Sequence, residues 1–153
     1  MNRILIVDDH ALFRGTLRQF LSQEPDFEIV GEASSMREAI RCVRSLGPHL
    51  VLTDLTMPDA HGVEAVTELK RHYPDIKILV MSLHCEYEYK YRCCKAGAAG
   101  YIVKDAVHEE LCDGIRTVML GRNYLGADAH YDTLATHALM SAANNEDRSL
   151  RLH

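Results

Sequence analysis

Two hydrophobic textures alternate along the first 121 residues. Ile4-Leu5-Ile6-Val7, Leu50-Val51-Leu52, Ile78-Leu79-Val80-Met81 and Tyr101-Ile102-Val103 are short apolar runs with no polar alternation. That pattern predicts strands covered on both faces, as in a parallel sheet between helix layers. Phe27–Ala33 alternates instead, which predicts a strand less completely covered and nearer an edge. Between these runs the apolar positions recur at helical spacing: Phe13, Leu17, Phe20 and Leu21; Met36, Ala39, Ile40 and Val43; Val63, Val66 and Leu69; Leu111, Ile115, Val118 and Met119. Glu86 to Lys95 reads as a further helix, whose alternating Tyr87, Tyr89 and Tyr91 cannot all turn to a core. Ser34-Ser35 offers a cap, and Glu24-Pro25-Asp26, Leu46-Gly47-Pro48, His72-Tyr73-Pro74, Ala96–Gly100 and Gly121 supply stops. The order is strand–helix five times, which predicts an α/β domain: a five-stranded parallel sheet with right-handed crossovers and helices on both faces.

Open parallel sheets carry their chemistry at the carboxyl ends of the strands. The Leu50 run stops at Asp54, with Pro58 and Gly62 forcing a loop, and the Ile4 run stops at Asp8-Asp9-His10. If these strands are neighbours, three carboxylates converge. Two carboxylates about 5 Å apart repel by roughly 3 kcal/mol at an effective dielectric near 20. Such a cluster must protonate one member or bind a cation. An all-oxygen set with surplus negative charge suits Mg2+. Ser82 and Lys104 close the remaining strands, while the second strand brings nothing reactive, as expected at an edge. An attacking carboxylate, a metal and an ammonium form a coherent set for phosphoryl transfer. Each residue also has an ordinary reading. Asp8 and Asp9 can cap a helix, Ser82 likewise, Lys104 can be a surface lysine, and Tyr101 a core aromatic with a wet hydroxyl.

Composition narrows the partners. A formal charge of −5 argues against nonspecific nucleic-acid affinity, which needs a basic face. No apolar run reaches membrane-spanning length, and Met1-Asn2-Arg3 leads straight into a strand. Five cysteines, Cys42, Cys85, Cys93, Cys94 and Cys112, show no metal spacing, so reduced thiols and a cytoplasmic location are expected. The nine histidines are scattered, none paired with a carboxylate or cysteine at metal-ligand spacing, and most are expected on the surface.

The segments Ile4–His10, Leu52–Pro58, Met81-Ser82 and Ala96–Asp105 together resemble a response-regulator receiver domain of two-component systems, in the right order over residues 1–121. Asp-Asp-His, and Lys104 followed by Asp105 rather than proline, resemble the NarL/FixJ branch, whose members usually carry a LuxR-type helix-turn-helix. The resemblance implies a flavodoxin-like (βα)5 fold with strand order 2-1-3-4-5. It implies that Asp54 accepts phosphate from a sensor histidine kinase. Mg2+ would be held by Asp9, Asp54 and the backbone carbonyl of Thr56, with Asp8 reaching it through water. Lys104 would bind a phosphoryl oxygen, and Ser82 and Tyr101 would switch, coupling the site to the face of the fourth helix, last strand and fifth helix. Such a domain is not an enzyme beyond slow self-catalysed phosphorylation and dephosphorylation. Because a non-proline cis bond costs about 3 kcal/mol, the Lys104–Asp105 bond is expected to be trans.

Past Gly121 the texture changes. Residues 122–153 read as a linker with one further helix over Tyr131–Ala143 and a hydrophilic exit, and a helix-turn-helix needs about 60 residues more. The expectation is a fragment cut in the linker, with DNA reached only through a domain absent from this chain, and homodimerisation on phosphorylation. The alternative is a stand-alone receiver acting through protein contacts. A haloacid-dehalogenase-type phosphatase is the chemical rival, but it carries an acid two residues beyond its nucleophile, where Thr56 stands here. A nucleotide-binding fold lacks its Gly-rich loop, and an interaction domain without chemistry predicts gaps in the acid–lysine set.

Overall fold

The computed structural model describes residues 1–126, so the helix expected over Tyr131–Ala143 and the hydrophilic exit lie outside the described residues. Strands β1 (Asn2–Val7), β2 (Phe27–Ala33), β3 (Leu50–Asp54), β4 (Lys77–Ser82) and β5 (Gly100–Val103) form one sheet. Every pairing is parallel, in the order β2-β1-β3-β4-β5. A two-residue antiparallel ladder, Thr56–Met57 with Ala60–His61, follows β3, so a count of every strand makes the last two sixth and seventh. Helices α1 (Ala11–Leu21), α2 (Met36–Leu46), α3 (Glu64–His72), α4 (Tyr87–Ala96) and α5 (Val107–Met119) connect and follow the strands. The edge position expected for Phe27–Ala33 is the one observed.

The unbroken apolar runs divide residue by residue between two cores. Leu5, Val7, Val51, Ile78 and Val80 face α2, α3 and α4, through Met36, Ala39, Val66, Leu69 and Cys93. Ile4, Ile6, Leu50, Leu52, Leu79 and Met81 face α1 and α5, through Leu17, Leu21, Leu111, Ile115 and Val118. Each fully buried aliphatic side chain contributes about 1.5–3 kcal/mol, so both faces must be covered for the sheet to persist. Register then sets the chemistry. Val7 pairs with Thr53, Asp54 with Met81 and Ser82 with Val103. Asp8, Asp54, Ser82 and Lys104 therefore end up side by side at one rim.

Local signals fix the helix ends. Ser35 accepts the Glu38 N–H, and Glu38 reaches back to the Ser34 N–H and hydroxyl, a reciprocal cap. The Asp59 carboxylate accepts the N–H groups of Met36 and Arg37 at 2.8 and 2.9 Å, from 22–23 residues away. It thereby pins the loop after β3 to the start of α2. Lys104–Ala106 forms a 3-10 turn, and the Lys104–Asp105 bond is trans, as expected.

Packing continues past Gly121. Tyr124 lies parallel to the outer edge of β5, bridging Gly100. Its carbonyl accepts the Tyr101 N–H at 2.8 Å, and its N–H donates to Ala99 at 3.1 Å. Leu125 is buried in the α2–α4 core. The Tyr124 hydroxyl bonds Glu110 at 2.8 Å, and the Lys90 ammonium bonds the Leu125 carbonyl at 3.3 Å. Two glycines make room for this strap. A Cβ on Gly100 would lie 3.0 Å from the Tyr124 carbonyl oxygen, and one on Gly114 would lie 3.2 Å from the Tyr124 ring.

Candidate functional site

The rim gathers four charged or nucleophilic side chains. Asp8 is fully buried and Asp54 only 6% exposed. Lys104 lies between them, its Nζ 3.1 Å from Asp8 Oδ2 and 3.3 Å from Asp54 Oδ2. The Phe13 ring of α1 flanks the same ammonium, 4.6 Å from its centroid, so the lysine is held by aromatic packing as well as by charge. On the other side, Asp8 Oδ1 accepts the His10 N–H at 2.8 Å. The ordinary cap reading fails here, because the residue capping α1 is His10, which makes no side-chain cap bond. Arg14 braces the turn by donating to the Asp8 carbonyl and to Glu32.

Burial raises the Asp54 pKa above the ordinary carboxylate value; Lys104 opposes this, the Asp8 charge adds to it, and the Thr56 N–H bond opposes it. Asp54 is thus an incompletely compensated anion. Thr56 opens the short ladder after β3, and the Gly62 N–H closes that loop on the Leu55 carbonyl. No carboxylate stands at Thr56, and Asp59 is committed to α2.

Ser82 is buried, and its hydroxyl accepts the His84 N–H at 3.1 Å. The Tyr101 ring is 0% exposed, and its hydroxyl donates to the His84 carbonyl at 2.6 Å. Burial pushes its phenol up to about 12. Tyr101 therefore already sits inward, locked at both hydroxyl and backbone. Of the three α4 tyrosines, Tyr87 is exposed, while Tyr89 and Tyr91 pack against the core. The Tyr89 ring stacks on His84 at 4.2 Å.

No histidine pairs with a carboxylate at metal-ligand spacing along the sequence, yet in the fold the exposed His10 places Nδ1 3.3 Å from Asp8 Oδ1 and 3.2 Å from Asp9 Oδ1. One ligand atom each from Asp8, Asp9, His10 and Asp54 falls within 4.8 Å of every other. Adjacent residues show no metal spacing in a sequence, and the turn leaving β1 folds His10 back over both acids. This donor set fits a divalent cation: three carboxylates face one ammonium, and the cation side of Asp8 is separate from its Lys104 side.

The carboxyl rim of the open parallel sheet thus gathers an acidic cluster, one partly buried lysine and a buried hydroxyl. The family model described as response regulator receiver domain matches residues 4–116, and the chain belongs to that family, a family of signalling domains. It is 37% identical over 123 residues to the transcriptional regulatory protein DegU of Brevibacillus brevis, covering 80% of this chain and 52% of that protein. It is 36% identical to the response regulator UvrY of Escherichia coli, covering 84% and 59%, and 38% identical to VraR of Staphylococcus aureus, covering 79% and 58%. The chain thus spans a little over half the length of these curated relatives. A LuxR-family two-component response regulator from Aurantimonas sp. superposes with TM-score 0.78 at 28% identity, covering 96% of this chain and 97% of that one. No helix among the described residues is long and apolar enough to cross a membrane.

Proposed function

We propose that this chain is the phosphoacceptor of a two-component pathway, taking a phosphoryl group from a sensor histidine kinase onto Asp54. The observation that carries the reading is Lys104 shared between Asp8 and Asp54 at adjoining strand ends. An Asp54 oxygen attacks phosphorus, the new O–P bond forms as the kinase's N–P bond breaks, and the imidazole leaves with the bonding pair and takes up a proton. The raised pKa of Asp54 marks a carboxylate short of compensation, which favours the nucleophile. Lys104 is held where it can steady a phosphoryl oxygen, and Ser82 is close enough along the rim to turn toward another.

Asp8, Asp9, Asp54 and the Thr56 carbonyl are the groups that would hold Mg2+, which when bound neutralises charge developing on the phosphoryl oxygens. Phosphorylation adds charge and strong acceptors. Drawing Ser82 toward them releases the His84 N–H, and His84 holds the Tyr101 hydroxyl through its carbonyl, while the Tyr101 N–H holds the strap. The output surface is therefore α4, β5, α5 and the strap together, on which homodimerisation would act. Because DegU is a transcriptional regulator and the relatives extend well beyond the match, the output served is transcription through a LuxR-type DNA-binding domain outside residues 1–121.

Acetyl phosphate and Mg2+ should add one phosphoryl mass to the intact protein, and none to Asp54→Asn. Modification that survives in Asp54→Asn would overturn the assignment. Unchanged amide shifts around Ser82, Tyr101 and α4 with beryllofluoride would remove the proposed output surface.

A further inference from the structure

The rim carries one nitrogen donor that an all-oxygen magnesium site does not need. We propose that His10 is a specificity-determining ligand, giving the site a selective affinity for borderline divalent ions of the cobalt, nickel and zinc class. The inference rests on the cation reading of the acidic cluster given above.

The geometry divides the cluster into two sides. Lys104 takes the Oδ2 atoms of Asp8 and Asp54. His10 Nδ1 instead faces the Oδ1 atoms of Asp8 and Asp9 at 3.3 and 3.2 Å. Those distances are close to the separations between ligand atoms that share one ion, about 3–4 Å for bonds near 2.0–2.2 Å. All four candidate donors stay within 4.8 Å of one another, so small rotations bring them onto one centre. The His10 imidazole is free to make them. Its side chain is 72% exposed, and it makes no cap bond to α1. Its backbone N–H, by contrast, is anchored on Asp8, which fixes where the ring can reach.

The ligand chemistry then decides the ion. Mg2+ prefers carboxylates and water and gains little from an imidazole, whereas cobalt, nickel and zinc bind imidazole well. His10 should matter greatly for the second group and hardly at all for the first.

Isothermal titration of reduced protein with Mg2+ and with Co2+ at pH 7.5 tests this on wild type, His10→Ala and Asp9→Asn. Excess Mg2+ as a competitor separates Co2+ at this site from Co2+ on other histidines and thiols. His10→Ala should weaken the Mg2+-displaceable Co2+ binding at least tenfold and change Mg2+ affinity less than twofold. Wild type with Co2+ should show a hyperfine-shifted ring resonance that His10→Ala lacks. Equal losses for both ions, or no loss for either, overturn the assignment of His10 while leaving the cation site standing. Failure of wild type to bind Mg2+, with no effect of Asp9→Asn, overturns the cation reading itself and this inference with it. Circular dichroism of His10→Ala checks that the fold is intact.

Discussion

Replacing Asp54 by asparagine should make the metal-free protein more stable, although it removes an ion pair. Lys104 lies 3.3 Å from Asp54 Oδ2, an attraction of about 5 kcal/mol at an effective dielectric of 20. Asp8 and Asp9 offer ligand atoms within 4.8 Å, repulsions of about 3.5 kcal/mol at the same dielectric, the Asp9 share being reduced by its exposure. The Coulomb terms therefore nearly cancel. What remains is desolvation, which heads the causes raising the Asp54 pKa. A buried polar group that its surroundings compensate incompletely costs about 1–3 kcal/mol, and that is the penalty asparagine relieves. Asparagine keeps the volume and an acceptor for the Thr56 N–H but carries no charge. Urea titration in EDTA at pH 7.5 should show Asp54→Asn about 1–2 kcal/mol more stable, a rise of roughly 4–8 °C in Tm. The folded state binds this proton more readily than the unfolded chain, so the penalty is complete at neutral pH. It fades as pH falls through the raised pKa toward about 4, and the two proteins should converge there. Saturating Mg2+ should reverse the ranking, since an ion at 100 times its Kd adds about 2.7 kcal/mol to wild type alone. An Asp54→Asn protein less stable than wild type in EDTA would show that the Lys104 pair, not burial, governs this rim.

Removing Lys104 should act in the opposite sense. Lys104→Met leaves Asp8 buried without its cation and should cost about 3–5 kcal/mol in urea, part of it recovered in the double variant with Asp54→Asn. Asp59→Ala should cost about 0.5–2 kcal/mol by stripping α2 of two acceptors. Burial raises the Asp59 pKa, but the bonds from Met36 and Arg37 outweigh it and hold the carboxyl below its ordinary value. Its stabilisation is thus present above about pH 4 and lost as pH falls further, so Asp59→Ala and wild type should approach each other in acid. Gly100→Ala puts a Cβ 2.5 Å from Leu79 and 3.0 Å from the Tyr124 carbonyl. It should cost about 1–3 kcal/mol and speed hydrogen exchange at the Tyr101 amide while the β1–β3 ladder stays protected.

The sheet was legible because a strand buried on both faces has to be apolar at every position, and four of the five strands read that way. The rim was legible because polar residues that interrupt such runs fall at their carboxyl ends. Three features could not be read so. Asp59 caps a helix that begins 23 residues earlier, and a contact of that kind has no local pattern. His10 stands in the Asp8-Asp9-His10 run, but immediate neighbours in sequence carry no ligand spacing to show that its ring folds back onto the acids. The strap at Tyr124 is too short for any periodicity, and Arg122–Leu125 reads as a plain linker. Its trace in the sequence is indirect: Gly114 in mid-α5 and Gly100 at the start of β5, two positions where a helix and a strand would ordinarily gain from a side chain.

That strap changes what the rim can control. A coupling needs a physical element that both ends bias, not proximity alone. Here the links are continuous. Ser82 accepts the His84 N–H, the His84 carbonyl accepts the Tyr101 hydroxyl, the Tyr101 N–H bonds the Tyr124 carbonyl, and the Tyr124 hydroxyl bonds Glu110 at the head of α5. Freeing the strap entirely would forfeit two backbone bonds and two side-chain bonds at about 1 kcal/mol each, plus about 2 kcal/mol for exposing Leu125. Against that total of about 6 kcal/mol, a phosphoryl group gathers one to three charge-assisted bonds worth about 1.5–3 kcal/mol each, some of them needed to move Ser82 itself. Moving a two-state element from 1:99 to 99:1 takes about 5.5 kcal/mol. With two such bonds at about 2 kcal/mol each the supply is about 4 kcal/mol, enough to loosen the Tyr101–Tyr124 ladder and short of ejecting Leu125 from its core. On the proposed phosphorylation of Asp54, the expected signal is a change in how tightly β5 holds the chain that leaves it, with Tyr101 acting from the inward position it already occupies.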